Sequence, residues 1–355
     1  MNVAEPSPEI ARARELDAAG RHDDAINQLA AAAQRGHVEA TTELAKRIIV
    51  GDRAPRLWRQ GIGLLQDAVK LGGAEAADRL AVIAASGIVG PPDWQAALGL
   101  LTLAAERGWA PAHRQLEVLA STSRGGAADG SSAPRPPRAV AAAIDLRNLL
   151  VPTGGFEIHR DPDVRIFPSF LGEAACDWLI DRARGRLTRA LVYDAVKQTD
   201  FADDSRTNSA AVFDRMAGDL VHLMVQTRIS AVCGQPVNHM EAPTVLHYAV
   251  GEEIKNHYDF VDPAQPNYAE DVRRFGYRVL TFLVYLNAGY DGGETVFPKL
   301  GLSHAGKHGE GILFVNTLAD GQADVRTLHA GRPPARGEKW VFSQFVRNRP
   351  ELIGD

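Results

Sequence analysis

A 36-residue period in the first 120 residues constrains the fold more than any other feature of the chain. Ala32, Ala68 and Ala104 obey it, as do Gly36, Gly72 and Gly108, and Ala40, Ala76 and Ala112. The larger apolar positions keep the same register: Ile26, Ile62 and Leu98; Leu29, Leu65 and Leu101; Leu44, Leu80 and Leu116. Within AINQLAAAAQRGHVEATTELA the apolar residues fall at helical spacing on both sides of the glycine, the pattern of two amphipathic helices. Gly36 is expected to close the first helix, because a left-handed terminal residue costs glycine little. Alanine at the recurring positions lets the paired helices approach closely. A unit of this size cannot bury its apolar face alone, so the units should stack into a short α-solenoid.

Residues 121–139, STSRGGAADGSSAPRPPRA, have no apolar period. Such a composition buries too little to offset the entropy of ordering, so the segment reads as a linker between parts that fold separately. Beyond it the texture changes. Helical stretches around EAACDWLIDRARGRL and RMAGDLVHLMVQTRISAVCG precede short β-rich segments, TVLHYAV, RVLTFLVYLN, GILFVNTL and KWVFSQFVR. Gly, Pro and Asp turns divide these, as in an antiparallel sandwich or barrel.

A formal charge of −5 over 355 residues offers no basic field for a phosphate backbone, which argues against nucleic acid as partner. No apolar run approaches the roughly 20 residues that span a bilayer, and MNVAEPSPEIARARELD is too polar for a secretory signal. Cys176 and Cys233 are the only cysteines, so a disulfide framework is not expected and the chain reads as cytoplasmic.

Chemistry enters with NHYDF, residues 256–260. In an extended segment His257 and Asp259 project to one side and offer two ligands of a facial metal site. Two imidazoles and one carboxylate leave three positions open on Fe(II), as oxygen activation requires. The candidate third ligand is His329, in RTLHAGRPPARGEKWVFSQF, and Lys339 follows ten residues later in a strand that otherwise reads as apolar and aromatic. A buried ammonium is costly unless it meets an anion. The distal carboxylate of 2-oxoglutarate would be such an anion.

With these residues in order, 150–355 resembles a 2-oxoglutarate- and iron(II)-dependent dioxygenase of the prolyl 4-hydroxylase type. The matching segments are YAVGEEIKNHYDF, RVLTFLVYLNAGYDGGETVFP, GILFVN and HAGRPPARGEKW. The helical repeats, over about residues 20–120, resemble the Sel1-like relatives of tetratricopeptide repeats. The resemblance implies a multidomain chain: a helical repeat domain over 1–120, the linker 121–139, and over 140–355 an α+β double-stranded β-helix, or jelly roll, that carries the catalysis. It implies His257, Asp259 and His329 as iron ligands and Lys339 as the partner of the distal carboxylate. Tyr248 and Thr281 match positions that help hold the co-substrate. Arg206, in SRTNSA, and Phe345, where the family tends to carry tryptophan, match substrate-contacting positions.

The cofactors implied are Fe(II), 2-oxoglutarate and O2, with ascorbate as a candidate reductant. The reaction implied is hydroxylation of a prolyl residue in a peptide or protein, with succinate and CO2 formed and the repeats as a docking surface. Alternatives from the same residues are hydroxylation of a free amino acid or small metabolite, a cupin-like metalloenzyme that does without 2-oxoglutarate, and an inactive repeat-bearing interaction protein. Gly292 and Gly293 read as a turn, Asn316 and Trp340 as packing or supporting residues. His247, His304 and His308 are left outside the metal set.

Overall fold

The computed structural model describes residues 7–125, 135–194, 199–201, 203–260 and 266–350. An N-terminal helix α1 (Pro8–Ala18) precedes three helix pairs, α2 (His22–Gln34) with α3 (Val38–Val50), α4 (Trp58–Lys70) with α5 (Ala74–Ser86), and α6 (Trp94–Glu106) with α7 (Ala110–Ser123). The pairs repeat the sequence period. Gly36, Gly72 and Gly108 follow α2, α4 and α6 with φ of +84°, +97° and +86°, a conformation in which a Cβ would be strained. The recurring alanines are wholly buried between helices, as are Leu29, Leu65 and Leu101. Removing most of such a leucine side chain would cost about 2–5 kcal/mol.

The solenoid does not end at a free linker. Helix α7 runs on to Ser123, and the proline-rich stretch starts helix α8 (Pro137–Ala142), followed by α9 (Leu146–Leu150). Proline is tolerated at a first helical turn because the N–H it lacks would have no helical partner there. Both short helices pack against the last repeat, α8 on α6 and α7 and α9 on α7. The expected linker 121–139 is therefore helical at both ends, and its middle, 126–134, lies outside the described residues.

The remainder comprises strands β1 (Phe156–His159) and β2 (Val164–Phe167), helix α10 (Glu173–Arg184), strands β3 (Thr188–Arg189), β4 (Val192–Asp194), β5 (Thr199–Phe201) and β6 (Ser209–Val212), and helix α11 (Leu220–Cys233). Strands β7 (Thr244–Tyr248) and β8 (Ile254–His257), helix α12 (Pro266–Phe275) and strand β9 (Arg278–Tyr285) follow. Last come β10 (Asp291–Gly292), β11 (Thr295–Phe297), β12 (Leu302–His304), β13 (Gly311–Val315), β14 (His329–Gly331), β15 (Pro334–Arg336) and β16 (Lys339–Arg347). Eight strands form the major sheet, in the order β1-β2-β13-β9-β16-β7-β6-β3, and four the minor sheet, β12-β11-β14-β8. Among the described residues all strand pairs are antiparallel. This is the double-stranded β-helix expected for the second part.

Alternation along the central strands separates two cores. Leu280, Phe282 and Val284 of β9, Phe342 of β16 and Val245 of β7 join the core that includes α10 and α11. Tyr285, Val341, Leu246, Tyr248, Ile312 and Phe314 turn inward, together with Phe297 of the minor sheet.

The outer core also contains Ala81, Val82, Leu98, Leu101, Leu116 and Leu119 of the repeats. Repeats and barrel thus share one apolar core, contrary to the expectation of separately folding parts. Buried charges reinforce the junction. The Arg79 guanidinium, on α5, pairs with Asp78 and donates to the carbonyls of Met216 (2.8 Å) and Gly218 (2.7 Å) before α11. Gln115 of α7 donates to Asp78 (2.9 Å) and accepts from the Leu220 N–H (3.0 Å) at the start of α11.

Candidate active site

His257 ends β8 and His329 begins β14, and the two residues face each other in register across that strand pair. Asp259, two residues beyond His257, completes a group whose ligand atoms all lie within 4.8 Å of one another. Nε2 of His257 is 3.4 Å from Asp259 Oδ1, and Nε2 of His329 is 3.4 Å from Asp259 Oδ2. Asp259 and His329 are buried, and His257 is half-buried.

Hydrogen bonds aim the imidazoles. Nδ1 of His257 lies 2.9 Å from the Lys255 carbonyl, and Nδ1 of His329 lies 3.0 Å from the Thr327 carbonyl. A carbonyl only accepts, so each Nδ1 carries a proton, and Nε2 is the atom that each ring turns toward the common centre. Burial lowers the His329 pKa to about 4, against the opposing pull of Asp259. The ring is then neutral near pH 7, the form that ligates a metal. Phe314 and Phe297 pack on the His329 ring at 4.8 and 5.5 Å between centroids. Two imidazoles and a carboxylate converging in a partly apolar cup suit Fe(II), for which the 2-His-1-carboxylate set is diagnostic.

Lys339, at the start of β16, turns into the barrel and is 2% exposed. Its cross-strand neighbour is Tyr248 on β7, whose ring centroid lies 5.2 Å from Nζ, with that of Tyr285 at 5.4 Å. Nζ donates to the Gly293 carbonyl at 2.7 Å, and among the described residues no carboxylate forms an ion pair with it. Burial pushes the ammonium down to about 8, with Glu294 opposing. A buried cation that has one neutral acceptor and an aromatic wall is suited to an incoming anion.

The pair Gly292 and Gly293 forms the expected turn, with φ of +75° and +71°. It does more than turn. A Cβ on Gly293 would come within 3.2 Å of the Lys339 side chain and 3.1 Å of the Tyr290 ring, so the glycine makes room for the lysine as its carbonyl holds it.

Thr281 is placed differently from a simple co-substrate contact. Its hydroxyl donates to Asp259 Oδ2 at 2.7 Å and accepts from Asn316 Nδ2 at 2.9 Å. Arg206 lies beside the strand that carries His257, its backbone bridged to Ile254 of β8 and its Nε 3.4 Å from Asn208 Oδ1. Phe345, half-buried on β16 opposite Thr281, has the Arg278 guanidinium 3.9 Å over its ring; Glu241 holds that guanidinium through both carboxylate oxygens, at 2.6 and 2.8 Å.

Sequence reasoning missed Tyr285. Its buried hydroxyl donates to Thr295 Oγ1 at 2.8 Å beside the lysine. The inward parity of Tyr285 with Thr281 along β9 is the signal that could have found it. Two of the three histidines left outside the metal set have other partners: His247 Nε2 lies 2.9 Å from Glu338, and His304 Nε2 2.7 Å from Glu310.

Comparison with known proteins bears on this geometry. The 2OG-Fe(II) oxygenase superfamily matches residues 243–347. Prolyl 4-hydroxylase 5 of Arabidopsis thaliana is 33% identical over 209 residues, spanning 53% of this chain and 69% of that protein. Probable prolyl 4-hydroxylase 3 of the same plant is 31% identical over 207 residues, 52% of this chain and 69% of that protein. Among solved structures, the viral collagen prolyl hydroxylase of Paramecium Bursaria Chlorella virus-1, in its 2OG complex, is 24% identical with a TM-score of 0.39, covering 52% of this chain and 94% of that one. A Sel1 repeat protein from Oxalobacter formigenes is 17% identical with a TM-score of 0.31, covering 41% of this chain and 61% of that one.

Proposed function

We propose that this chain, which belongs to the 2-oxoglutarate- and Fe(II)-dependent oxygenase superfamily, hydroxylates prolyl residues of a peptide or protein and converts 2-oxoglutarate to succinate and CO2. The metal, when bound, supplies oxygen activation against an unreactive C–H bond, a chemistry that side chains lack.

The chain's own residues supply the rest. In this reading His257, Asp259 and His329 would hold the iron through two imidazoles and one carboxylate. Lys339 receives the distal carboxylate of 2-oxoglutarate, with the hydroxyls of Tyr285 and Thr295 beside it. Tyr248 walls that end of the site and keeps water from the lysine; burial raises its phenol to about 12, so it stays neutral and adds no repulsive charge. Arg206 and Phe345 line the approach of the substrate. The observation that carries the reading is one apolar cluster joining both ends of the site. Phe297 and Phe314 contact His329 in it, and Tyr248 and Tyr285 face Lys339.

The prolyl target is supported by the hydroxylases at 31–33% identity. For the repeats we infer a second contact with a protein substrate, which would raise its local concentration without altering the chemistry. The test is mass spectrometry of a proline-rich peptide incubated with the full chain, Fe(II), 2-oxoglutarate and air. Gain of one oxygen on proline, dependent on every component, is expected. Conversion of 2-oxoglutarate to succinate beside an unaltered peptide would overturn the prolyl assignment and leave the oxygenase chemistry standing.

A further inference from the structure

We propose that Asn316 and Thr281 are positioning residues that hold the Asp259 carboxylate in the orientation metal binding needs, an inference that rests on the iron site described above. Thr281 and Asn316 are both wholly buried. They come from neighbouring strand ends, Thr281 from β9 and Asn316 just after β13, where the Asn316 N–H donates to the Val279 carbonyl at 2.8 Å and the Asn316 carbonyl accepts from Asp324 N–H at 2.9 Å. The backbone of Asn316 is thus fixed on both sides, and its amide can point only where the strand sends it.

The chemistry gives the chain of bonds a direction. Asp259 has no proton to give, so the Thr281 hydroxyl must donate to Oδ2 (2.7 Å). Having used its one proton, that hydroxyl must accept from Nδ2 of Asn316 (2.9 Å). Amide donates to hydroxyl, hydroxyl donates to carboxylate, and no alternative assignment satisfies both contacts. The arrangement also accounts for an asparagine that would otherwise be a poor core residue: its Oδ1 has no hydrogen-bond partner among the described residues, a cost that packing alone would not justify.

The consequence falls on the metal. A carboxylate free to rotate can offer a cation both oxygens, which would fill a position that an oxygen-activating site must keep open. The hydrogen bond from Thr281 engages one lone pair of Oδ2, which also lies 3.4 Å from His329 Nε2, and so fixes the carboxylate plane and makes Oδ2 the poorer donor to a metal; Oδ1 has His257 Nε2 at 3.4 Å and no hydrogen bond from Thr281. Thr281 thus favours a single-oxygen attachment. Asn316 acts at one remove, by keeping the hydroxyl in its donating orientation.

The test uses the full chain with Co(II) as an oxygen-inert probe, read by calorimetry and by the cobalt absorption spectrum, in wild type and in Thr281→Val, Thr281→Ser and Asn316→Leu. Outer hydrogen-bond partners of metal ligands are typically worth about 10–100-fold in affinity. Thr281→Val is expected to weaken Co(II) binding by that order and to change its spectrum, Asn316→Leu to do so to a smaller degree, and Thr281→Ser to restore both. Wild-type affinity and spectrum in Thr281→Val would overturn the proposal. So would equal loss in the valine and serine variants, which would mean that the site responds to packing. If Thr281→Val did not fold, the contrast between Asn316→Leu and wild type would decide. Failure of the wild-type chain itself to bind Co(II) would instead count against the metal site.

Discussion

Lys339→Met separates the stability of the fold from its function, because the structure predicts opposite signs for the two. The ammonium is 2% exposed, with one carbonyl acceptor, and burial brings it from 10.5 down to about 8. Each tenfold loss of proton affinity is about 1.4 kcal/mol, so keeping Lys339 charged at pH 7 costs the folded chain roughly 3 kcal/mol. That penalty is fully present below pH 8 and fades toward pH 10.5, because in this window the unfolded chain binds the proton more tightly than the folded one. Methionine removes the penalty at similar length but forfeits the bond to the Gly293 carbonyl, worth roughly 1.5 kcal/mol. Without 2-oxoglutarate the variant should therefore be about 1–2 kcal/mol more stable at pH 7, and wild type should approach it as the pH rises past 8. Affinity for 2-oxoglutarate should fall by about 10–150-fold, since a charge-assisted hydrogen bond contributes roughly 1.5–3 kcal/mol. Urea unfolding of the ligand-free proteins and anaerobic calorimetry of the iron-loaded ones measure the two effects. A variant that is less stable than wild type yet binds 2-oxoglutarate equally well would refute both halves of the reasoning.

Other outcomes follow from the same geometry. Loss of one ligand in His257→Ala, Asp259→Ala or His329→Ala should reduce metal binding to the background of the unfolded chain, measured by metal content after gel filtration, and abolish succinate formation. Arg79→Ala should destabilise the whole chain by about 3–5 kcal/mol by leaving the buried Asp78 carboxylate without its countercharge; denaturant unfolding by far-UV circular dichroism should show one transition at lower urea, because repeats and barrel share a core. A chain beginning at Arg135 would expose that core and should be recovered far less in the soluble fraction than the full chain; an undiminished yield with intact metal binding would show the barrel to be independent. Gly293→Ala, at φ +71° and against Lys339, should weaken 2-oxoglutarate binding more than it weakens metal binding, as parallel titrations would show.

Much of this was legible in residue spacing. The period that aligned Gly36, Gly72 and Gly108 reappears as three helix ends, because local helix geometry and a left-handed glycine are properties of short segments. His257 and Asp259 could be paired from the two-residue repeat of a strand, and Lys339 stood out because a charge in an apolar strand needs a reason. What escaped is contact between distant segments. Nothing local tells that Arg79 will reach the Met216 and Gly218 carbonyls, and so a proline-rich stretch read as a linker turned out to frame helices that bind repeat to barrel. Composition argued for disorder there, but Pro137 begins a helix whose Val140 is buried in the shared core. The link from Asn316 through Thr281 to Asp259 was hidden likewise, since it depends on the side-by-side register of β9 and β13.

The central claim, that this fold gathers His257, Asp259, His329 and Lys339 into an iron- and 2-oxoglutarate-dependent oxygenase site, is tested most directly by following labelled oxygen. The full chain, loaded with Fe(II) and given 2-oxoglutarate under 18O2, should yield succinate carrying one labelled atom, and this product should vanish in His329→Ala. Unlabelled succinate, or labelled succinate at the same rate from the variant, would contradict it.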